Sequence, residues 1–288
     1  MKRFELSAIA DKGEPIILVD FSWLMYNGYY ASKENPAVGA LKKFVERIFL
    51  LRDNYPHSPI VIVLDSPSES FRKKLYPAYK EGRVHPEDVF NHQRDVMQIV
   101  SIVRDVLFAQ KPGWESDDII YTLWKTYKDF SGGVMIYSQD QDFLPLISEK
   151  TIVFSSIQKG QAVPVTPEEA VEKMGYDPQY MNEVKIICGD PHNHVEGIPR
   201  FRKKIAEAIA QLSREKGYDI ERFFTDDSML PELPANIAGS IIRNKENYPE
   251  AIKSMSVRKE LIPLRIVEGL QLLRIPGDKS LFDKYFGG

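Results

Sequence analysis

The sequence predicts an α/β fold: a central, mostly parallel sheet flanked by helices, followed by a helical C-terminal region. Three observations carry this. Four short runs are continuously apolar, as strands covered on both faces must be. Helix-length segments with apolar residues recurring every three and four positions lie between them. Beyond Pro178 the strand signals stop and helical periodicity continues to the end.

The first run, PIILVD (15–20), reads as a buried strand, and AVGALKKFVERIFLLRDNY (37–55) as an amphipathic helix. Trp23, Tyr26, Tyr29 and Tyr30 between them have helical spacing, which favours a core role for most of the four. PIVIVLD (59–65) is the second strand, VFNHQRDVMQIVSIVRDVLFAQ (89–110) a helix, and SDDIIYTLWKTYKDF (116–130) another. GVMIYSQDQD (133–142) and TIVFSS (151–156) complete the strands. Thr166, Pro167 and Glu169 form a capping-box helix start, and Gly175 a stop. A boundary near 185 divides a core, 1–185, from a helical region, 186–288. No internal repeat or low-complexity tract is present.

Of the 288 residues 43% are hydrophobic and 27% charged, the balance of a globular protein of one large or two smaller domains. No run approaches the 18 or so apolar residues of a membrane span, and MKRFELSAIADKGEP has no apolar signal region, so a cytosolic address is expected. A single cysteine, Cys188, excludes an intrachain disulfide and a cysteine-rich zinc site, and the five histidines lack ligand spacing. His192 and His194 read as a loop pair. The net charge of −3 hides an uneven distribution: with the eight acids discussed next set aside, 33 acids face 38 Lys plus Arg. That describes a basic body around an acidic pit.

The first three runs end in carboxylate, at Asp20, at Asp65, and at Asp140 and Asp142. The carboxyl ends of parallel strands share one crevice, where ligands bind. The mouth of the 116–130 helix can bring Glu115, Asp117 and Asp118 to the same rim. Acids at a helix start also serve as caps. Acid at three strand ends plus a helix mouth, however, is self-repelling unless a cation sits there. Oxygen ligands without Cys or His point to Mg²⁺, with Mn²⁺ able to substitute, and so large a cluster suggests two ions clamping a phosphate.

ILVDFSWLMYNGYYA, IVLDSPSESFRKKLYPAYKEGR, PGWESDDIIYTL, VMIYSQDQDFLPLI and VKIICGDPHNHVEGIP resemble, in order and spacing, the blocks of the 5′-nuclease family: flap endonucleases, the 5′-3′ exonuclease domains of bacterial polymerases, and phage 5′-exonucleases. The resemblance covers roughly residues 15–210. LPANIAGSIIRN is similar to the ribonuclease H proteins of T-even bacteriophages. The resemblance implies a resolvase- or PIN-like core and a Mg²⁺-dependent nuclease acting on 5′ flaps, 5′ ends or RNA primers. In that pattern Asp20, Asp65, Glu115 and Asp117 hold one ion with Asp118 behind them, and Asp140, Asp142 and Asp190 hold the second. One ion activates water and the other neutralises the leaving oxygen.

The segment FRKKLYPAYKEGR (71–83) interleaves Arg72, Lys73, Lys74, Lys80 and Arg83 with Phe71, Tyr76 and Tyr79. Such a segment can be a solvated basic helix, or cations that steady a phosphate beside aromatics that stack bases. The resemblance makes it the start of a short helical arch near 71–95, whose basic positions Lys80 and Arg83 match; Lys80, Arg83 and Arg72 are expected to act on the phosphate, and Lys73, Lys74, Tyr76 and Tyr79 to touch nucleic acid. Where the family carries a further Asp this chain has Asn193, which is expected to leave the second ion one charge short. Where the family carries the glycines of a helix-hairpin-helix motif that grips duplex and a monovalent cation, Arg200 and Arg202 stand, followed by Lys203 and Lys204, whose side chains can grip phosphates instead. The expected partners are branched or flapped DNA, an RNA–DNA hybrid, and a replication polymerase, clamp or single-strand binding protein. The chain is expected to act as a monomer in the cytosol of a bacterium or phage-infected host. The two rival readings are a weakened relative that only binds branched nucleic acid and a PIN-like ribonuclease.

Overall fold

The computed structural model describes residues 13–158 and 161–287, so the N-terminal stretch read above for signal character lies largely outside the described residues. The chain forms two compact units. In chain order, β1 (Ile16–Asp20), α1 (Phe21–Ala31), α2 (Pro36–Asn54) and β2 (Ile60–Val63) open the first unit. The chain passes into the second unit for α3 (Phe71–Leu75). It then returns for α4 (Gln93–Val100), β3 (Val106–Ala109), α5 (Ser116–Tyr127), β4 (Val134–Tyr137), β5 (Thr151–Gln158) and β6 (Gln161–Pro164). The second unit resumes with α6 (Pro167–Met174), α7 (Met181–Cys188), β7 (Gly189–Asp190), β8 (Val195–Glu196), α8 (Lys203–Lys216) and α9 (Arg222–Thr225), and continues through α10 (Ala235–Asn247), α11 (Pro249–Lys253) and α12 (Met255–Leu261). The last residues rejoin the first unit as β9 (Leu272–Leu273) and α13 (Lys279–Phe286). Among the described residues no helix is long and apolar enough to cross a membrane.

The first unit is built on a seven-stranded sheet of order β6-β5-β4-β1-β2-β3-β9, parallel from β5 to β3 and antiparallel at both edges. Every residue of β1 and β2 is buried, which is why these runs are apolar without alternation. Ile17 and Val19, in register with Ile60 and Ile62, face α1, α2 and α4, and α5 packs on β1, β2 and β4. A Cβ on Gly28 of α1 would lie 2.9 Å from Ala40 Cα of α2, so glycine there permits the close approach of those helices. The chain runs outward from β1 to β2 and β3, then crosses back to lay β4 on the other side of β1. That reversal opens a crevice at the carboxyl ends of β1 and β4, where a parallel sheet receives its ligands.

The architecture is the expected one, with corrections. The predicted helix 89–110 is α4 alone, and its last residues form β3 instead. The turn through Asp105, in the left-handed region at φ 57°, separates them, and a four-residue apolar run fits either period. Strands β6 and β9 were not foreseen, and 186–288 is not uniformly helical: β7 pairs with β8, and residues from Leu264 onward return to the first unit. The expected boundary near 185 therefore falls inside α7. The arch near 71–95 is helical only at Phe71–Leu75 and Gln93–Val100, with turns and irregular chain between.

Two buried arginines hold the second unit. Arg258, 3% exposed, donates to the carbonyls of Ile186, Glu196 and Ala251 and to Ser254 Oγ, tying α12 to α7, β8 and α11, and burial pushes its pKa down to about 10. Arg72, 1% exposed, stacks on Phe71 and donates to the carbonyls of Leu261 (3.2 Å) and Ile262 (2.8 Å). Its expected role at the phosphate is corrected on this ground: a guanidinium spent on buried carbonyls is a structural tie. Arg72→Met leaves those carbonyls without a donor and is expected to lower stability by about 2–4 kcal/mol, read from denaturant unfolding. An unchanged midpoint would refute the tie.

Candidate metal centre

Asp20 ends β1 and caps α1: its Oδ1 accepts the Trp23 N–H at 3.2 Å and its Oδ2 the Ser138 hydroxyl at 2.8 Å. Ser138 Oγ in turn accepts the Asp140 N–H at 3.1 Å, and Asp140 Oδ1 accepts the Asp142 N–H at 2.9 Å. One relay of short bonds thus fixes the carboxyl edges of β1 and β4 together. Ser138, fully buried, is a site residue the sequence reading missed, although it stands inside the quoted YSQDQD. Asp65, just past β2, accepts Ser116 N–H at 2.8 Å through Oδ1 and the Ser22 hydroxyl at 2.6 Å through Oδ2. It satisfies an orphan amide at the start of α5 from a neighbouring strand. Two donors leave a carboxylate further lone pairs for a cation.

Successive helical residues point about 100° apart, and the first turn of α5 separates its acids accordingly. Asp118 is fully buried and its Oδ1 accepts Arg265 N–H at 2.8 Å, tying the returning C-terminal segment to α5. Asp117 instead joins Asp140 and Asp142, with one carboxylate oxygen from each within 4.8 Å of the others. Sequence reading groups Asp117 with Asp20, Asp65 and Glu115, and the fold adds Asp140 and Asp142 to its neighbours. Helix geometry sets it against the β4 loop. Glu115 is buried at the N-cap of α5.

Burial, then the neighbouring Asp65 carboxylate, pushes the Asp20 pKa up to about 7 despite the bonds from Ser138 and Trp23. So raised a carboxyl marks a place built for positive charge. The donor set of Asp117, Asp140 and Asp142 is all hard oxygen, and this fits a divalent cation of the Mg²⁺ or Mn²⁺ kind.

The remaining expected site residues lie in the second unit. Asp190 Oδ2 accepts from Lys185 Nζ (2.8 Å) and from Asn193 Nδ2 (2.7 Å). Burial works to raise its pKa, but the Lys185 ammonium and these two bonds outweigh it and hold the carboxyl below the usual range. Asn193 Oδ1 accepts from Arg83 Nη2 at 2.8 Å, and its carbonyl accepts Lys80 N–H at 3.0 Å. An amide both donates to Asp190 and accepts from Arg83, which a carboxylate cannot do. Asn193 thus positions the basic segment, and Lys185 is a partner that sequence reading did not single out. Gly189, at φ 75° with an added Cβ only 2.4 Å from Val195 O, is required for the tight β7–β8 pairing that presents Asp190. Tyr79, 4% exposed, packs with Val195, Leu261 and Tyr76, so its expected stacking on bases is corrected to a core role. Lys80 Nζ lies 5.2 Å from the Tyr79 ring centre, Lys73 Nζ donates to Pro77 O, and Lys74 and Arg83 are exposed. Arg200, at φ 63°, and Arg202 precede α8, and Lys203 and Lys204 form its first turn.

Residues 15–175 match the family described as the 5′-3′ exonuclease, N-terminal resolvase-like domain. A 5′-3′ exonuclease of Buchnera aphidicola subsp. Acyrthosiphon pisum is 27% identical over 259 residues, 86% of this chain and 87% of that protein. DNA polymerase I of Mycobacterium bovis is 29% identical over 251 residues, 82% of this chain, and the match spans 27% of the polymerase's length. A bacteriophage T5 flap endonuclease solved as a pseudo-enzyme-product complex with DNA and metal ions shares the fold. Its TM-score is 0.57 over 86% of this chain and 100% of that one, at 18% identity.

The raised Asp20 pKa carries a sign. The folded metal-free protein binds a proton that the unfolded chain gives up near the ordinary aspartate value of 3.8, so its stability falls as pH rises from about 4 through about 7. Asp20→Asn removes that cost and keeps the cap. In metal-free buffer it is expected to raise Tm by about 5 °C at pH 8 and by almost nothing at pH 4, on the order of 2 kcal/mol at the upper end. Calorimetry across that range checks it, and a pH-independent difference would contradict it.

Proposed function

The chain belongs to the 5′-3′ exonuclease N-terminal, resolvase-like domain family, and on that premise we propose that it is a divalent-metal-dependent, structure-selective nuclease hydrolysing phosphodiester bonds at 5′ ends or 5′ flaps of DNA or RNA primers. The observation that carries this reading is the convergence of Asp117, Asp140 and Asp142 beside Asp20 and Asp65 at the carboxyl edge of the sheet. Asp117, Asp140 and Asp142 would hold a cation directly, with Asp20, Asp65 and Glu115 supplying further negative charge. Mg²⁺ is the ion this donor set favours, with Mn²⁺ a substitute. When bound there, divalent cations supply Lewis acidity to the phosphate and lower the pKa of water.

The chain's own groups do the positioning. Ser138 and the Trp23 amide orient Asp20, while Ser22 and the Ser116 amide orient Asp65. Preset carboxylates need no rearrangement during the reaction, which is what makes them effective. Lys74, Arg83, Lys203 and Lys204 are proposed to meet the phosphate backbone, a contribution that adds affinity without sequence preference. Asp190, which the family pattern makes a metal ligand, is assigned instead to holding Asn193 and, through it, Arg83. A binder with lost cleavage is the second reading, and the commitment of Asp190 to Lys185 and Asn193 is what favours it. The partners proposed are branched DNA or an RNA–DNA hybrid, beside a replication polymerase, clamp or single-strand binding protein.

Labelled 5′-flap, nicked-duplex, RNA–DNA hybrid and single-stranded substrates, each with Mg²⁺ and with EDTA, separate the two readings. Cleavage at 5′ flaps or 5′ ends with Mg²⁺ alone is expected, and binding without cleavage in every case would favour the second. Asp140→Asn is expected to reduce kcat at least about a hundredfold while leaving flap binding in EDTA unchanged, because it removes a ligand from a loop and nothing from the core. Undiminished turnover would remove Asp140 from the site.

A further inference from the structure

The ladder between β2 and β3 ends where Leu64 N–H donates to the Ala109 carbonyl at 2.9 Å. Beyond it both chains leave the sheet, one into the loop after Asp65 and the other toward the start of α5, yet they stay bonded to each other. Gln110 Nε2 donates to the Asp65 carbonyl at 2.6 Å, and Ser66 N–H to the Trp114 carbonyl at 3.3 Å. Gly113 N–H is shared between two hydroxyl oxygens, Ser66 Oγ at 3.0 Å and Ser68 Oγ at 2.9 Å.

The lone pairs settle which way the serine protons point. Ser66 Oγ accepts the Ser68 N–H at 3.1 Å as well as the Gly113 N–H, which uses both of its lone pairs. Of the two hydroxyls, 2.7 Å apart, Ser66 is therefore the donor and Ser68 the acceptor. Ser66 thus uses its hydroxyl proton, both lone pairs and its backbone amide in bonds within these two loops. A side chain so fully engaged fixes the geometry of the residues on either side of it.

Those neighbours are acids. Asp65 immediately precedes Ser66, and its Oδ1 accepts the Ser116 N–H at the start of α5 at 2.8 Å. Asp117, one residue further along α5, belongs to the cluster with Asp140 and Asp142. Asp65, Pro67, Ser68 and Glu69 are exposed, so apolar burial does little to hold this loop. Repulsion between Asp65 and the other carboxylates pushes it outward. The serine bonds oppose that push in the metal-free protein.

We propose that Ser66, with Ser68, is a positioning residue for cation capture: the pair fixes Asp65 against the first turn of α5, so that Asp65 and Asp117 stand at metal-ready spacing before an ion arrives. The proposal rests on the divalent-metal reading of the acidic edge and deepens it. Carboxylates set in advance need no rearrangement on binding, and the gain appears as affinity for the ion.

Mn²⁺ binding to the full-length protein, read from the loss of the free-ion electron paramagnetic resonance signal, tests this without a nuclease assay, beside Tm measured in EDTA. Ser66→Ala is expected to weaken Mn²⁺ binding about tenfold, the effect usual when a partner that orients a ligating group is removed. Ser66→Thr keeps the hydroxyl and is expected to bind within about twofold of the wild type, whereas Ser68→Ala, which leaves Gly113 N–H bonded to Ser66, is expected to weaken binding only about threefold. A lower Tm with unchanged Mn²⁺ affinity in Ser66→Ala is what a merely structural bond gives, and it would overturn the proposal. Equal loss in Ser66→Ala and Ser66→Thr would overturn it too. Those outcomes leave the metal centre standing. Wild-type protein that takes up no Mn²⁺ would overturn the metal centre and the proposal with it.

Discussion

Like-charge repulsion at the carboxyl edge of a parallel sheet is the constraint on which the first unit depends. Asp20, Asp65, Asp140 and Asp142 arrive there because β1, β2 and β4 run in the same direction and end at the same level. Their mutual repulsion, and the burial of Asp20 that lifts its pKa to about 7, work against the fold. What holds the arrangement is a set of donors, Ser138, Ser22 and the amides of Trp23, Ser116 and Asp142, which reach both oxygens of Asp20 and of Asp65 and one of Asp140 while leaving each oxygen a further lone pair. The sheet thus stores an electrostatic demand that a bound divalent cation would relieve.

In the second unit a carboxylate is balanced by an ammonium and an amide. Asp190, half-buried in β7, is neutralised by the Lys185 ammonium, and Asn193 uses the carboxylate as an anchor from which to hold Arg83. A carboxylate at 193 would repel Asp190 and release the bond between them. The asparagine therefore has a local physical reason that does not depend on the strength of any metal site. The buried arginines Arg72 and Arg258 extend the theme: their guanidinium groups donate to carbonyls near the C-terminal ends of α7, α11 and α12 and on β8.

Much of this was legible in the sequence, and the failures have physical causes. Strands β1, β2, β4 and β5 were readable because burial on both faces demands unbroken apolar runs. The acids at their ends were readable because topology alone brings parallel strand ends together. β3 was not, since four apolar residues after an amphipathic stretch satisfy a helix as well as a strand. β9 was not, because two residues at a sheet edge carry no pattern. Charge could not distinguish Arg72 from Lys74, because the difference between a buried tie and an exposed cation lies in carbonyls some 190 positions along the chain. The grouping of Asp117 with Asp140 and Asp142 depended on helix phase, which spacing to the other acids does not reveal.

The central claim is that the carboxyl edge of the sheet is a divalent-cation site built from Asp117, Asp140 and Asp142. Diffraction at the manganese absorption edge, from crystals grown with Mn²⁺, tests it most directly. The account predicts an anomalous peak about 2–2.5 Å from carboxylate oxygens of those three residues. Manganese ordered elsewhere in the protein, with no peak among these carboxylates, would contradict it.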